Sequence, residues 1–374
     1  MSRATVDAPV LSIRELNRAT LARQLLLQRV KLDAVTAIER IAALQAQWSP
    51  SPYVALWTRL LGFRREELWS ALEAHRIVRA RLMRGTLHLV SARDFYAYAV
   101  ATQDLQRGAW NRMQVGRGID PQEVARLAVA FARRPRAKED VLAHVVERVG
   151  ALGPYRWLVW RFVSAHADLV SAPPGGRWDY GGTDAPYVAA RHWIPGERRP
   201  SEDDAIDLLV RRCVAAFGPV GVDDIAKFGG QVPARIRPAL ARLAPELRMF
   251  VDEQHRTLYD FEDAPRPDAD VDAPIRLLPR YDEVLIAYQR RDRIVPARHR
   301  PAIYSKNGII EATLLVDGMV AGTWTLQRGK EEAVVNVHPF GRLGRGEKTA
   351  AMEEGERLAR FLAPETKTWG ARVA

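Results

Sequence analysis

Apolar residues recur along this chain with two spacings, one typical of helices and one typical of strands. Segments of the two kinds follow each other in an order that repeats. Segments with apolar residues three and four positions apart predict amphipathic helices, and runs with every second residue apolar predict strands. Three times, two or three helical segments are followed by a short pair of strand-like runs. Helices that lead into a two-stranded hairpin are typical of the winged helix-turn-helix. The pattern therefore predicts three tandem winged-helix units.

The first unit is predicted over residues 11–115. Ser12 and Glu15 have the spacing of a capping box at the start of a helix. Glycine in the two-residue link Arg84-Gly85 predicts a hairpin between two strands. The helices are predicted over residues 12–27, 33–44 and 64–76, and the strands over 78–83 and 86–90.

The second unit is predicted over residues 120–195 and the third over 200–265. Helical segments lie at 123–134, 138–150 and 155–170, and then at 201–218, 220–230 and 231–243, before a hairpin at 247–261. Trp157 and Trp160 share one helical face and are predicted core residues. The last helix corresponds to a recognition helix, where Arg235 and Arg237 are predicted to bind DNA.

Residues 275–374 have a different pattern, which predicts a small C-terminal β region and a terminal helix. Asp317-Gly318 and Arg328-Gly329 are typical of turns and divide residues 312–340 into a β-meander. The last helix is predicted over 347–363. The fold class is therefore α+β, with three tandem winged helix-turn-helix units followed by this β region.

The charge balance of the chain favours an anionic binding partner. The net charge is +11 and the isoelectric point about 10.0. Only seven of the 56 cations are lysines, a usage that a GC-rich genome also produces, but such a genome does not explain an excess of bases over acids. Nucleic acid is the commonest anionic partner, and tandem winged helices favour DNA over RNA.

Other features of the sequence bear on the cellular location of the protein. No apolar run reaches the length of a membrane span, and the first ten residues lack the apolar core of a signal peptide. The single cysteine, Cys213, excludes an internal disulfide and a cysteine-rich zinc site. We expect a cytoplasmic protein that works at the bacterial nucleoid.

Gln45 and Gln47 are unusual polar residues at the end of an apolar segment. On a helix that continues from residue 33, Gln45 takes a position on the apolar stripe, and Gln47 points about 200° away. Pro50 and Pro52 predict that the helix ends nearby, and in extended geometry both amides share one face. The alternative is that Gln45 satisfies a helix end and Gln47 is a surface residue.

The Gln-Ala-Gln motif resembles the Gln-apolar-Gln signature of the AlkZ-type winged-helix DNA glycosylases. That family includes YcaQ, whose motif has aspartate at the second site. The resemblance covers about residues 11–362, and the middle unit matches least well. Three further segments resemble the family in order, at residues 84–96, 277–294 and 314–329.

The resemblance implies excision of alkylated purines, N7-alkylguanine above all, from double-stranded DNA. It implies Gln45 and Gln47 as the catalytic residues and a hairpin that approaches the lesion, here with Gln327, Arg328 and Lys330. Some members unhook interstrand crosslinks and protect the producers of DNA-alkylating natural products. An N7-alkylated purine is cationic and leaves as a neutral base, so two amides that position water suffice without a general acid.

Charged residues and histidines outside the Gln-Ala-Gln motif carry further predictions. Arg79, Arg81 and Arg84 on the first hairpin are predicted to contact phosphates. Asp282 and Glu283 would point to opposite sides of a strand, which argues against a paired-carboxylate site. The eight histidines have no metal-ligand spacing, and nucleotide-binding glycine motifs are absent, so we expect no metal and no cofactor.

These observations favour a monomeric, monofunctional DNA glycosylase that uses water as its nucleophile. A winged-helix transcriptional regulator without catalysis is the alternative, and a protein-interaction scaffold is a third possibility. A regulator would be dimeric and prefer a base sequence, and it has no need for both glutamines.

Overall fold

The computed structural model describes residues 8–112, 118–150, 156–181 and 184–374. Residues 115 and 155, where two predicted boundaries fall, lie outside these ranges. Within them, helices alternate with strands that form three sheets, which confirms the α+β class. Among these described helices, none combines the length and apolar character needed to cross a membrane.

The first region carries both local signals that the sequence predicted. Its elements are β1 (Val10–Leu11), α1 (Ile13–Arg23), α2 (Ala34–Arg40), β2 (Leu44–Gln45), α3 (Pro50–Arg59), α4 (Arg65–Glu73), β3 (Ile77–Arg81), β4 (Leu87–Ser91) and α5 (Ala92–Arg112). The capping box is confirmed, since the Ser12 amide donates to Glu15 Oε2 at 2.7 Å and the Glu15 amide donates to Ser12 Oγ at 3.3 Å. The hairpin is also confirmed, because β3 and β4 pair antiparallel and both Arg84 and Gly85 have positive φ.

The prediction of a helix through Leu44 is wrong. α2 ends at Arg40, and Ala42 follows with a φ of 76°, a left-handed conformation that a helix cannot continue through. Helix α3 was not predicted, although proline fits the first turn of a helix, where backbone N–H groups have no helical partner. The long helix α5 was not predicted either.

The second region joins the first through a shared sheet. Its elements are α6 (Pro121–Phe131), α7 (Lys138–Val149), α8 (Arg156–His166), β5 (Leu169–Ser171), β6 (Tyr187–Ala189) and α9 (Ala190–Trp193). β5 pairs with β3, which gives the strand order β2-β4-β3-β5-β6. Of the two predicted core tryptophans, Trp160 is buried, but Trp157 in the first turn of α8 is 54% exposed. The core assignment of Trp157 is therefore wrong.

The third region has the predicted order of three helices and a hairpin. Its elements are α10 (Glu202–Phe217), α11 (Val222–Gly229), α12 (Pro233–Leu243), β7 (Leu247–Asp252) and β8 (Thr257–Phe261). Gly230 ends α11 in a left-handed conformation, with a φ of 65°. β7 also pairs with β1 in parallel, so the start of the chain completes this sheet. The assignment of all three regions as winged helices stays a prediction.

The C-terminal region is a five-stranded sheet covered by one long helix. Its elements are β9 (Arg276–Leu278), α13 (Arg300–Ile303), β10 (Thr313–Val316), β11 (Met319–Arg328), β12 (Glu332–Pro339), α14 (Arg345–Leu362) and β13 (Thr368–Val373). The predicted meander is confirmed, and Asp317 and Gly318 form its first turn with positive φ. β13 was not predicted; it pairs with β12 in parallel at the sheet edge.

Candidate active site

The two glutamines lie side by side where β2 ends. β2 pairs antiparallel with β4, so that Gln45 lies opposite His88. Gln45 Nε2 donates to Gln47 Oε1 at 2.5 Å. Gln45 is 6% exposed, whereas Gln47 is exposed to solvent. Gln47 follows β2 in a bend, and the hydrogen bond between the two side chains brings both amides to one point.

Arg84 fixes the orientation of the Gln45 amide. The residue lies in the β3–β4 turn, and its Nη2 is 3.3 Å from Gln45 Oε1. Its Nη1 donates to the Phe228 carbonyl at 2.6 Å. With Oε1 facing a cation, the Nε2 of Gln45 must face Gln47. Arg84 was predicted to contact phosphate; its guanidinium has these protein partners and is partly exposed, and the phosphate contact stays a prediction.

Glu283 offsets the charge of Arg84. Its two carboxylate oxygens accept from Arg84 Nη2 at 2.8 and 3.0 Å, and the side chain is 1% exposed. Burial by itself raises the pKa of Glu283, but the positive charge of Arg84 and the hydrogen bond with His88 outweigh burial, and the pKa lies below its usual value. A buried ionised carboxylate thus faces the cation that touches Gln45.

His88 completes this buried cluster. Its Nε2 lies 3.1 Å from Glu283 Oε1 and 3.1 Å from Arg84 Nη2, and its Nδ1 lies 3.0 Å from the Thr86 carbonyl. Burial lowers the pKa of His88, which favours the neutral ring. The neutral ring has a single N–H, and on Nε2 it donates to Glu283 Oε1, the hydrogen bond that helps to lower the pKa of that carboxyl. His88 therefore serves as a hydrogen-bonded member of the buried cluster.

Asp282 anchors the segment that carries Glu283. The Arg59 guanidinium donates through two nitrogens to the two Asp282 oxygens, each at 2.8 Å, and both side chains are fully buried. The expected strand is wrong here, because Glu283–Leu285 is a turn of 3₁₀-helix capped by Asp282. Each carboxylate nevertheless orients one arginine. Glu283 is the site residue that the sequence analysis did not assign, although its place in the 277–294 segment was a signal.

The guanidinium groups of buried Arg79 and partly exposed Arg81 both contact backbone carbonyls. Arg79 is buried, and its Nε and Nη2 lie 3.3 and 3.1 Å from the Ala46 carbonyl, between the two glutamines. Burial lowers the pKa of Arg79. Arg81 donates to the Gly85 carbonyl. The phosphate contacts predicted for Arg79 and Arg81 stay predictions, although burial leaves little of Arg79 accessible.

The remaining predicted DNA contacts lie in two other places. On α12, Arg237 is exposed, whereas Arg235 pairs with Glu202 and lies 3.4 Å from Asp104. At the end of the β11–β12 hairpin, Gln327, Arg328 and Lys330 are exposed. Arg328 pairs with Glu365 at 2.8 Å on the surface.

In the described part of the chain, no three histidine, cysteine, aspartate or glutamate side chains are placed to share a metal ion. Cys213 is buried in the core, and burial raises its pKa well above the usual range, which suits an inert thiol. The chemistry available at this site is therefore that of positioned amides beside a neutralised Arg84–Glu283 pair.

A solved structure of another protein has a similar fold. The Streptomyces sahachiroi DNA glycosylase AlkZ matches with a TM-score of 0.79 and 18% sequence identity, over 98% of this chain and 100% of that chain. At this identity the likeness shows the fold alone. No curated protein sequence matches the chain.

The sequence model of one family, described as DNA glycosylase AlkZ-like, matches residues 38–361. This family model defines a class of enzyme, the DNA glycosylases. The chain belongs to the AlkZ-like DNA glycosylase family, as the Gln-Ala-Gln motif indicated. Membership supports a glycosylase over the transcriptional regulator and the interaction scaffold.

Proposed function

We propose that this protein hydrolyses the N-glycosidic bond of N7-alkylated purines in double-stranded DNA, with Gln45 and Gln47 as catalytic residues. The observation that carries the proposal is a line of contacts from inside to outside. Buried Glu283 holds Arg84, Arg84 holds the Gln45 oxygen, and Gln45 donates to the exposed Gln47. A glutamine that only satisfied a helix end would need no such support.

The chemistry follows from what an oriented amide offers. Gln47 Oε1 accepts one hydrogen bond from Gln45, which leaves a second lone pair for a water molecule. That water attacks C1′ and releases its proton to solvent, while the glycosidic electron pair moves to N9 and neutralises the cationic purine. The amide dipole also stabilises the positive charge that develops on the sugar. Unmodified purines are poor leaving groups, so they should survive.

We assign DNA contacts to the exposed polar ends of two elements. Arg237 on α12 and Gln327, Arg328 and Lys330 on the hairpin are accessible, and Arg81 and Arg235 retain part of their surface. The net charge of +11 supports a polyanionic partner. We further propose that the protein acts as a monomer.

The exposure of Gln47 supports the extension to bulky adducts. A purine in an interstrand crosslink is tethered and cannot rotate into a closed pocket. An amide at the surface reaches C1′ without full flipping. We therefore include unhooking of crosslinks, and with it self-resistance to a DNA-alkylating natural product, in the proposed function.

One assay tests the reaction and the site together. Duplex DNA with a single N7-methylguanine is incubated with protein and treated with base, which cuts the strand at abasic sites. We expect cutting with the wild type and a loss of at least about 100-fold in the Gln45→Ala/Gln47→Ala double variant, comparable to removal of an oriented catalytic group. Equal cutting by both proteins would remove the glutamines from the mechanism.

A crosslinked duplex and a duplex with a bulky N7 adduct form the second arm. Activity on the methyl adduct alone would contradict the open site. Binding to undamaged DNA without excision of any adduct would favour the regulator.

A further inference from the structure

Trp48 lies directly after Gln47 and is 37% exposed. Arg280 lies against its ring, with Cζ 5.7 Å from the ring centroid. The Arg280 guanidinium is itself partly exposed and lies 3.2 Å from Glu311 Oε2. An aromatic ring and a guanidinium that is paired with Glu311 thus lie together next to Gln47.

This arrangement is held in place by the start of α3. The Ser51 amide donates to the Trp48 carbonyl at 3.0 Å, and the Ser51 hydroxyl donates to the Arg280 carbonyl at 2.6 Å. Ser51 therefore ties the backbones of both residues together. A surface whose backbone is fixed before binding loses less entropy when a ligand stacks on it.

Single exposed apolar side chains are ordinary and need no function. Trp48 differs from them by position, because consecutive Cα atoms are only about 3.8 Å apart and its neighbour is Gln47. Exposed Trp157, by contrast, lies in the first turn of α8 and belongs to a different part of the fold. Trp157 is therefore the matched control for Trp48.

We propose that Trp48 and Arg280 form a stacking subsite for a planar π-system at the lesion. The ligand is the face of a nucleobase, or of an aromatic group carried by the adduct. Aromatic rings stack on any base, and a guanidinium adds a cation–π contact and attraction to phosphate. The proposal rests on the proposed function, since it concerns the substrate of the same site.

The test compares Trp48→Ala, Trp48→Phe and Trp157→Ala on two duplexes, with N7-methylguanine or N7-benzylguanine. Affinity is measured by fluorescence anisotropy, and the excision rate is measured at saturating protein. We expect Trp48→Ala to weaken binding about 5- to 100-fold. Trp48→Phe should recover most of the affinity, and Trp157→Ala should match the wild type.

The two duplexes separate the sources of the planar group. Equal weakening on both supports a stacked nucleobase, and weakening on the benzyl adduct alone supports a stacked adduct. Unchanged affinity on both, or a lower rate with unchanged affinity, overturns the subsite. Because anisotropy needs no excision, the subsite is tested even if neither duplex is cleaved, in which case only the proposed function fails.

Discussion

Arg84 Nη2 lies 2.8 and 3.0 Å from the carboxylate oxygens of Glu283 and 3.3 Å from Gln45 Oε1. One guanidinium nitrogen thus joins a buried carboxylate to the motif. Both long-range partners are needed, because an unpaired charge in the interior is costly and an unheld amide can flip. The geometry of the two glutamines therefore depends on a residue far away in the sequence.

Glu283→Gln should slow excision without weakening DNA binding. The neutral amide keeps a hydrogen-bond acceptor but no longer offsets Arg84, which is then free to shift the Gln45 oxygen. We expect the single-turnover rate to fall about 10- to 100-fold, as when an outer partner of a functional group is lost. Unfolding free energy should fall by about 1–3 kcal/mol. Rate and affinity come from excision and anisotropy measurements, stability from urea unfolding.

Glu354→Gln is the matched control for this prediction. Glu354 is equally buried and accepts from Arg29 and Arg357, but it contacts no residue of the Gln45 cluster. A similar loss of stability with a full excision rate is expected. If Glu283→Gln also kept the full rate, the carboxylate would have only a structural role.

Gln47→Asp should retain excision and introduce a pH dependence. A carboxylate accepts a stronger hydrogen bond from water than an amide does. Aspartate also occupies this site in the motif of YcaQ. The exposed carboxylate titrates near its ordinary pKa of about 3.9. The excision rate of Gln47→Asp should therefore fall below about pH 5, where the aspartate begins to be protonated. Wild type lacks this titration, so a parallel decline in both proteins would argue against the assigned role.

Acid should destabilise the protein partly through His166. Burial, followed by the charge of Arg107, lowers the pKa of His166 to about 4 from an ordinary 6.5. The unfolded chain then binds more protons, so the stabilisation present above pH 6.5 is lost as pH falls toward 4. Between pH 6.5 and pH 4, the melting temperature should therefore fall less steeply with pH for His166→Gln than for the wild type. His255→Gln, at an exposed histidine, should follow the wild type.

Lys330→Ala should weaken binding to damaged and undamaged duplexes alike. A phosphate contact is sequence-independent, so its loss should reduce the slope of log affinity against log salt by about 1. Anisotropy titrations over a salt series measure this slope. Lys348→Ala, at an exposed lysine of α14, provides the comparison. An unchanged slope for Lys330→Ala would remove this residue from the DNA interface.

The sequence by itself determined much of the local structure. Turn glycines fixed two hairpins, at Arg84-Gly85 and Asp317-Gly318, because few residues tolerate the left-handed backbone of a tight turn. Ser12 and Glu15 fixed the start of α1. Gln45 and Gln47 pointed to the family, because amides in an apolar segment require a reason that packing does not supply.

Only the tertiary structure decided where those amides point. α2 ends at Arg40 and Gln45 enters a strand, because β4 offers a pairing partner that no local pattern encodes. Glu283 reaches Arg84 across 199 positions of sequence, and burial turned a predicted strand residue into the support of the site. Helical and strand periods are local properties. Burial, charge pairing and the choice of neighbours are properties of the folded chain, and they place the two glutamines side by side.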